Sequence, residues 1–326
     1  MQSKITFSVN KLFFSAGLDQ VLKSDEVKGG ANSRTLKVTT DSSVYFLKIY
    51  PQSLDGRKRL KREYQAVKFF NSAGIDRVPA AVYADYAIPA GIYSFIPGDR
   101  VNNNNTEIDV KEAIEFISGL KKASGLKSAV DLPDASEACF SVRDVLGNIK
   151  IRRNRLGKIN HPHLKKFLTE RFDLAFVEIT DKIVDSECAE KILSPSDFGF
   201  HNAIRGEDGR LYFIDMEHFG WDDPVKLLSD FLLHPEMKLS GKLKESFLRQ
   251  AKPSFKTETF ERLKIVYPLF ALKWSLIMLN EFTREGRLRR TLAQKSPDER
   301  GQLKKAGKML EKALSAGRRF PFASIL

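Results

Sequence analysis

Cysteine is nearly absent from this chain of 326 residues: only Cys139 and Cys188 occur, far apart and in polar surroundings. Two separated thiols exclude a disulfide framework and a cysteine zinc site, and they suit a reducing compartment. Histidine is also sparse, with five in all and no ligand pattern. The one close pair, His161-Pro162-His163, reads as a loop with solvated or capping side chains. Long apolar runs are lacking. The most apolar stretch, Ile265 to Phe282, contains Lys273 and Asn280 and ends in Glu281-Phe282, too short and too polar for a membrane span, so a buried helix is expected there. The opening Met1-Gln2-Ser3-Lys4-Ile5-Thr6-Phe7 has neither a continuous apolar segment nor a small-residue cleavage site, so export is not expected and a cytoplasmic setting is. No internal repeat and no nucleic-acid-binding motif is visible.

Positive charge is what the chain has in excess, with 54 lysines and arginines against 41 acidic residues and a formal net charge of +13. The surplus is clustered in Arg57 to Arg62, in Lys150, Arg152, Arg153, Arg155 and Lys158, in Arg284, Arg287, Arg289 and Arg290, and in Lys304, Lys305 and Lys308. Each cluster suits a solvated helix face. Together they also suit an anionic acceptor or an anionic surface, including peripheral membrane contact, and they argue against polycationic substrates. Without a motif to accompany the charge, no specific nucleic-acid partner is expected.

Between Ser194 and Asp215 lie Ser-Pro-Ser-Asp-Phe-Gly-Phe-His-Asn and two strand-like runs, Ala203-Ile204-Arg205 and Leu211-Tyr212-Phe213-Ile214, flanking the turn-rich Gly206 to Arg210. A hairpin there returns Asp215 to the side of Asn202. Phosphoryl transfer needs a carboxylate to orient the attacking hydroxyl and accept its proton, and an amide oxygen and a second carboxylate to hold magnesium against the nucleotide phosphates. Asp197 suits the first role; Asn202 and Asp215 suit the second. The letters Asp197-Phe198-Gly199 also mark the metal-binding aspartate of protein kinases. That register fails, because no Asp with an Asn five residues on lies suitably upstream: Asp181 is followed at that offset by Ser186 and Asp185 by Glu190. An Asp-x4-Asn pair alone equally suits turn making.

The upstream partners decide between these readings. Val44-Tyr45-Phe46-Leu47-Lys48-Ile49-Tyr50 is β-branched and aromatic, and a lysine inside such a strand needs an anion to meet, so Lys48 is a candidate phosphate ligand. Fifteen residues on, Glu63 sits in a segment whose apolar positions 60, 64, 67 and 70 recur at helical spacing, so it can pair with Lys48 and aim it. Gly29, Gly30, Ala31, Asn32 and Ser33 form a small-residue turn between strand-like runs, suited to covering phosphates with backbone amides or to a plain hairpin. The order of loop, strand lysine, helix glutamate, Asp-x4-Asn and strand-end Asp is that of a two-lobed kinase.

Over roughly residues 25 to 285 the chain resembles the aminoglycoside phosphotransferase and choline kinase family, small-molecule relatives of the protein kinases. The family pattern of His-Gly-Asp-x4-Asn, Ile-Asp-x-Glu, an Asp-Pro segment and a further Asp is met here by Pro195-Ser196-Asp197 to Asn202, Ile214-Asp215-Met216-Glu217, Asp223-Pro224 and Asp230. Pro195 stands where the family has histidine, which alters the packing of that loop. The resemblance makes Ser94, Phe95 and Ile96, within Tyr93-Ser94-Phe95-Ile96-Pro97-Gly98, the hinge that binds the adenine edge. Glu217 and Asp223 are secondary candidates for the magnesium site or the acceptor side, and Asp223-Pro224 equally suits a turn before a helix.

The implied fold is α+β and protein-kinase-like. An N-lobe of about residues 1–98 combines an antiparallel sheet with a helix and binds nucleotide, and a mostly helical C-lobe of residues 99–326 carries the catalytic loop, metal site and acceptor pocket. Thr106 is a candidate cap for a helix through Ile108 to Leu120, residues 141 to 191 supply further helices, and the basic tail from Thr291 suggests a docking helix. The expected activity is transfer of the γ-phosphate of ATP, with Mg2+, to a hydroxyl of a small molecule such as a sugar or cell-envelope glycan precursor. The alternatives are a protein acceptor, which the short span from Asp215 to Asp223 disfavours for want of an activation segment, and a non-catalytic nucleotide sensor.

Overall fold

The computed structural model describes residues 2–27, 33–101, 104–181, 183–287 and 298–326. The chain divides into two compact units, Met1–Arg100 with Asn202–Phe219, and Val101–His201 with Gly220–Leu326.

In the first unit, helix α1 (Gln2–Ser15) precedes strands β1 (Val21–Glu26), β2 (Arg34–Thr40) and β3 (Val44–Ile49), helix α2 (Leu54–Ser72), and strands β4 (Ala81–Asp85), β5 (Ala90–Ser94) and β6 (Gly98–Arg100). Five strands form an antiparallel sheet in the order β1-β2-β3-β5-β4. Alternation along the strands sorts its faces. Leu36, Val38, Leu47 and Ile92 turn to a core shared with Val9, Leu12 and Phe13 of α1. Lys48, paired across to Thr35 and Gly91, falls on the other face. Residues 1–98 read as strand-rich, and α1 is an addition to that reading; Phe14, 86% exposed beside the buried Phe13, blurs its helical periodicity.

Ser53 opens α2, its side chain accepting from the Gly56 amide at 3.1 Å. The buried stripe of α2 runs through Leu60, Glu63, Ala66, Val67 and Phe70, so a carboxylate sits in line with the apolar residues. The chain re-enters this unit at Asn202 and forms an antiparallel hairpin, Ala203–Gly206 with Leu211–Phe213, whose first strand also pairs with β6.

The second unit is helical, with α3 (Glu107–Ser124), α4 (Val142–Gly157), α5 (Pro162–Phe167), α6 (Asp173–Thr180), α7 (Pro224–Leu233), α8 (Gly241–Ala251), α9 (Thr257–Met278) and α10 (Glu299–Arg318). A short antiparallel pair, Ile192–Ser194 with Gly220–Asp222, accompanies them. Thr106 and Asp109 close a capping box on α3, and His161 caps α5 by accepting from the Leu164 amide at 3.3 Å. The segment Thr257–Phe282 is long and apolar enough to cross a membrane by length and composition, but 72% of its most apolar 18-residue window, of mean hydropathy 1.3, is buried within the protein. It is a core helix, packed by α4, α7 and α10. The basic tail helix α10 turns its apolar face inward, burying Ala306, Met309, Leu310 and Ala313, and Ser275 on α9 donates to the Ala306 carbonyl at 3.0 Å. That face is therefore occupied inside the unit and is not available for docking.

Candidate active site

Lys48 is the centre of the first unit's chemistry. Only 4% exposed, it places Nζ 2.7 Å from Glu63 Oε2, 2.6 Å from Asp215 Oδ1 and 3.5 Å from Glu217 Oε2. Burial works against its charge, but the carboxylates of Asp215, Glu63 and Glu217 outweigh that and hold its pKa well above the ordinary lysine value. For Glu63, burial pushes the pKa up while the Lys48 ammonium pulls against it; Tyr50 also donates to its Oε2. The two ends of the cluster differ in access. The Glu63 side chain is 7% exposed and that of Asp215 is 39% exposed, so the Lys48–Glu63 pair lies inside while the Asp215 end of the cluster opens to solvent.

Asp215 is delivered by the hairpin: the Ile214 amide donates to the Asn202 carbonyl at 2.9 Å, which pairs these two residues at the open end of the hairpin, with Asp215 next in the chain. Asp215 itself has φ of 67°, a left-handed conformation that costs a non-glycine residue energy and that aspartate tolerates better than most. A carboxylate and an amide oxygen at one end of a hairpin are hard donors of the kind magnesium takes, so Asn202 and Asp215 fit that ion. Glu217 is otherwise engaged. Buried at 3% exposure, it receives Arg59 Nη1 at 3.0 Å, which makes it a brace for the cluster. Arg62 in turn donates to the Phe219 carbonyl at 2.8 Å, so two members of the Arg57 to Arg62 run are structural and not solvated.

Of the expected phosphate-covering turn, Gly29, Gly30, Ala31 and Asn32 lie outside the described residues, and Ser33 forms a bend before β2. Ser94 ends β5 with its Oγ accepting from the Ala80 amide at 2.8 Å. Phe95 continues that line, its amide 3.4 Å from the Val44 carbonyl and its ring under Lys37 Nζ at 4.5 Å, and the half-buried Ile96 follows.

In the second unit, Asp197 sits on the loop after strand Ile192–Ser194, with its side chain 41% exposed. Two buried phenylalanines pin the loop. Phe198 stacks on Phe116 of α3 and Phe231 of α7, at 5.7 Å from each, and Phe200 meets Phe231 edge-on at 5.4 Å. Before Asp197, Ser196 has φ of 66° at the position where the family pattern has glycine. Its strained backbone is held by side-chain bonds: Lys226 Nζ donates to its Oγ at 2.7 Å, and that hydroxyl donates to the Ser136 carbonyl at 3.2 Å. Lys226 is anchored by Asp222 at 2.8 Å and Asp230 at 3.4 Å.

Beside Asp197 lies a pair of imidazoles that no spacing in the sequence announces. His201 Nε2 is 3.0 Å and His234 Nε2 3.6 Å from Asp197 Oδ1, and the two rings stack at 3.8 Å with 3° between their planes. Burial, then the neighbouring His201, holds the His234 pKa down at about 3, against a smaller opposing effect of Asp197. Asp223, a secondary candidate for magnesium or acceptor, belongs to the framework. It caps α7 through the Val225 amide at 2.8 Å and pairs with Arg262, and burial raises its pKa to about 6 against the pull of that arginine. The sequence signal for this was its own Asp-Pro pair, the mark of a helix start.

Residues 25–181 match the phosphotransferase enzyme family, a match that ends before Asp197. No curated protein sequence matches the chain significantly. Among solved structures, the choline kinase LicA from Streptococcus pneumoniae is 15% identical with a TM-score of 0.64, covering 95% of this chain and 99% of its own. Spectinomycin phosphotransferase, APH(9)-Ia, solved with ADP and spectinomycin, is 13% identical with a TM-score of 0.62, covering 96% of this chain and 97% of its own. A putative aminoglycoside phosphotransferase from Ralstonia eutropha is 12% identical with a TM-score of 0.64, covering 96% and 98%. At such identities the likeness is one of fold, and that fold is the two-lobed α+β arrangement of kinases. Residues 25–181 are thus similar to the phosphotransferase enzyme family, and the chain has the architecture of the choline and aminoglycoside kinases.

Proposed function

We propose that this phosphotransferase is an ATP-dependent kinase of a small hydroxyl compound, with Lys48 as phosphate ligand, Asn202 and Asp215 as magnesium ligands and Asp197 as the residue that addresses the acceptor. The observation that carries the reading is Lys48 itself, buried and charged, fixed by Glu63 and in exchangeable contact with Asp215. A lysine held this way is aimed at an anion rather than stored in a core. LicA has been solved with AMP and spectinomycin phosphotransferase with ADP, which supports a nucleotide as that anion.

On this reading Glu63 keeps the Lys48 ammonium pointed at the α- and β-phosphates, and Tyr50 and Arg59 keep Glu63 and Glu217 in place. Asn202 and Asp215 would hold magnesium, which would supply positive charge against the nucleotide phosphates. Asp197 orients the acceptor hydroxyl and takes its proton. Because the transferred group is loosely bonded in such transition states, positioning matters more than base strength. Strand Gly220–Asp222 and α7 follow Asp215 directly, leaving no room for an activation segment, which favours a small acceptor. The net charge of +13 favours one that carries an anionic group, such as a phosphorylated sugar or glycan precursor.

The test is transfer of labelled γ-phosphate from magnesium-ATP into a fractionated small-metabolite extract, with mass spectrometry of the product. A metabolite gaining one phosphate supports the reading and names the acceptor. Phosphate appearing only on protein, or no transfer beside tight magnesium-ATP binding, contradicts it.

A further inference from the structure

The Asp197–His201–His234 cluster has the composition of a metal site, and its ligand atoms lie within 4.8 Å of one another. Its geometry does not suit one. An imidazole binds a metal in the plane of its ring at about 2.0–2.1 Å. Two rings 3.8 Å apart and 3° from parallel have no common in-plane point. The stacking serves a different end.

His201 is buried awkwardly for a packing residue. Its Nδ1 is buried with no hydrogen-bond partner among the described residues, and burying such a group costs more than burying a satisfied or apolar one. A phenylalanine would fill the space without that cost. What a phenylalanine lacks is the Nε2 that meets Asp197 Oδ1 at 3.0 Å. The surroundings keep this nitrogen on its target. His234 covers one ring face, and Trp274 meets His234 edge-on at 4.6 Å. Trp274 Nε1 donates to Asp230 Oδ1 at 2.8 Å, Asp230 faces Lys226 at 3.4 Å, and Lys226 donates to Ser196 Oγ at 2.7 Å. The contacts thus begin at Ser196 and end at Asp197, neighbours in the chain. Gly199 completes the fit, since a Cβ there would lie 2.5 Å from Met237 Sδ and 2.9 Å from His201 Nδ1.

We propose that His201, braced by the stacked His234, is the positioning residue for the Asp197 carboxylate, fixing its rotamer through Nε2 where Pro195 replaces the family's histidine. This rests on the reading of Asp197 as the residue that orients the acceptor hydroxyl. In that role a carboxylate free to rotate loses alignment, and misplacement on the ångström scale costs about a hundredfold in rate.

The experiment compares magnesium-dependent ADP formation from ATP, with the small-metabolite extract as acceptor source, for wild type, Asp197→Asn, His201→Ala, His201→Phe, His201→Gln and His234→Phe. Melting temperature and magnesium-ADP affinity are measured on each to confirm folding. The expected pattern is a kcat lowered about tenfold to a hundredfold in His201→Ala and His201→Phe with the KM for ATP nearly unchanged. His201→Gln, whose Nε2 can reach the same oxygen, recovers most of that loss, and His234→Phe, which keeps the stack, loses least. Wild-type kcat in a folded His201→Phe protein beside an inactive Asp197→Asn overturns the positioning role and leaves the kinase reading intact. Wild-type kcat in Asp197→Asn, or no ADP formation by the wild type, removes the reading of Asp197 and the positioning role with it.

Discussion

Each unit buries a lysine among carboxylates. In the first, Lys48 meets Glu63, Asp215 and Glu217; in the second, Lys226 meets Asp222 and Asp230. In the second cluster every partner is closed off, with the Lys226 and Asp222 side chains 2% and 0% exposed and Asp230 at 11%. In the first, Asp215 opens to solvent at 39%. Closed clusters hold a loop in place; open ones can exchange a partner for a ligand. Lys226 supports the backbone ahead of Asp197 through Ser196 Oγ, whereas Lys48 is proposed as a phosphate ligand.

The sharpest way to break this comparison is to remove each lysine. Lys226→Met leaves Asp222 and Asp230 buried without their cation and is expected to lower the unfolding free energy by about 3–5 kcal/mol, measured by denaturant unfolding. Lys48→Met leaves Glu63 with Tyr50 and Glu217 with Arg59, so its loss of stability is smaller. Its main effect is on turnover, which is expected to fall about a hundredfold to a thousandfold with weaker magnesium-ATP binding. Equal effects of the two substitutions on stability would erase the distinction between closed and open clusters.

Acid provides a second contrast, because the second unit holds a buried histidine of depressed pKa. Burial, then the neighbouring His201, holds the His234 pKa at about 3, below the ordinary histidine value of about 6.5. The stabilisation from its neutral ring is complete above pH 6.5 and is lost as pH falls toward 3. Unfolding free energy is expected to drop through that window with a slope of at most about 1.4 kcal/mol per pH unit from this group. His234→Phe should flatten the slope, and an unchanged pH profile would contradict the assignment. The smallest contrast lies in the helix caps. Thr106→Ala breaks a reciprocal capping box, whereas Ser53→Ala removes one bond. The expected costs are about 1–2 and about 0.5–1 kcal/mol respectively, read from melting temperatures.

Much of the first unit was legible because its chemistry follows chain order. A lysine inside an apolar strand and a glutamate inside an apolar helix stripe are local anomalies, and both residues meet in the fold. The hairpin from Asn202 to Asp215 showed in its turn residues. The braces were hidden: Arg59 sits 158 residues from Glu217 and looked like one more charge on a basic helix. In the second unit the helices and their caps were visible, but the support of Asp197 was not. Lys226, Asp230, His234 and Trp274 lie on α7, at its C-terminal end and on α9, and nothing local marks them as partners of a loop tens of residues upstream. His201 was the one near signal, four residues after Asp197, and sparse histidines drew no attention to it. The basic tail misled for a related reason, since amphipathic periodicity shows that a face is apolar but not what covers it.

The central claim is tested most directly by measuring magnesium-ADP affinity by calorimetry and phosphate transfer from ATP on the same preparations of wild type and Asp197→Asn. The account predicts affinities within about twofold of each other and a transfer rate lower by about a hundredfold or more in the variant. Transfer at the wild-type rate by Asp197→Asn, with nucleotide bound equally well, would contradict it.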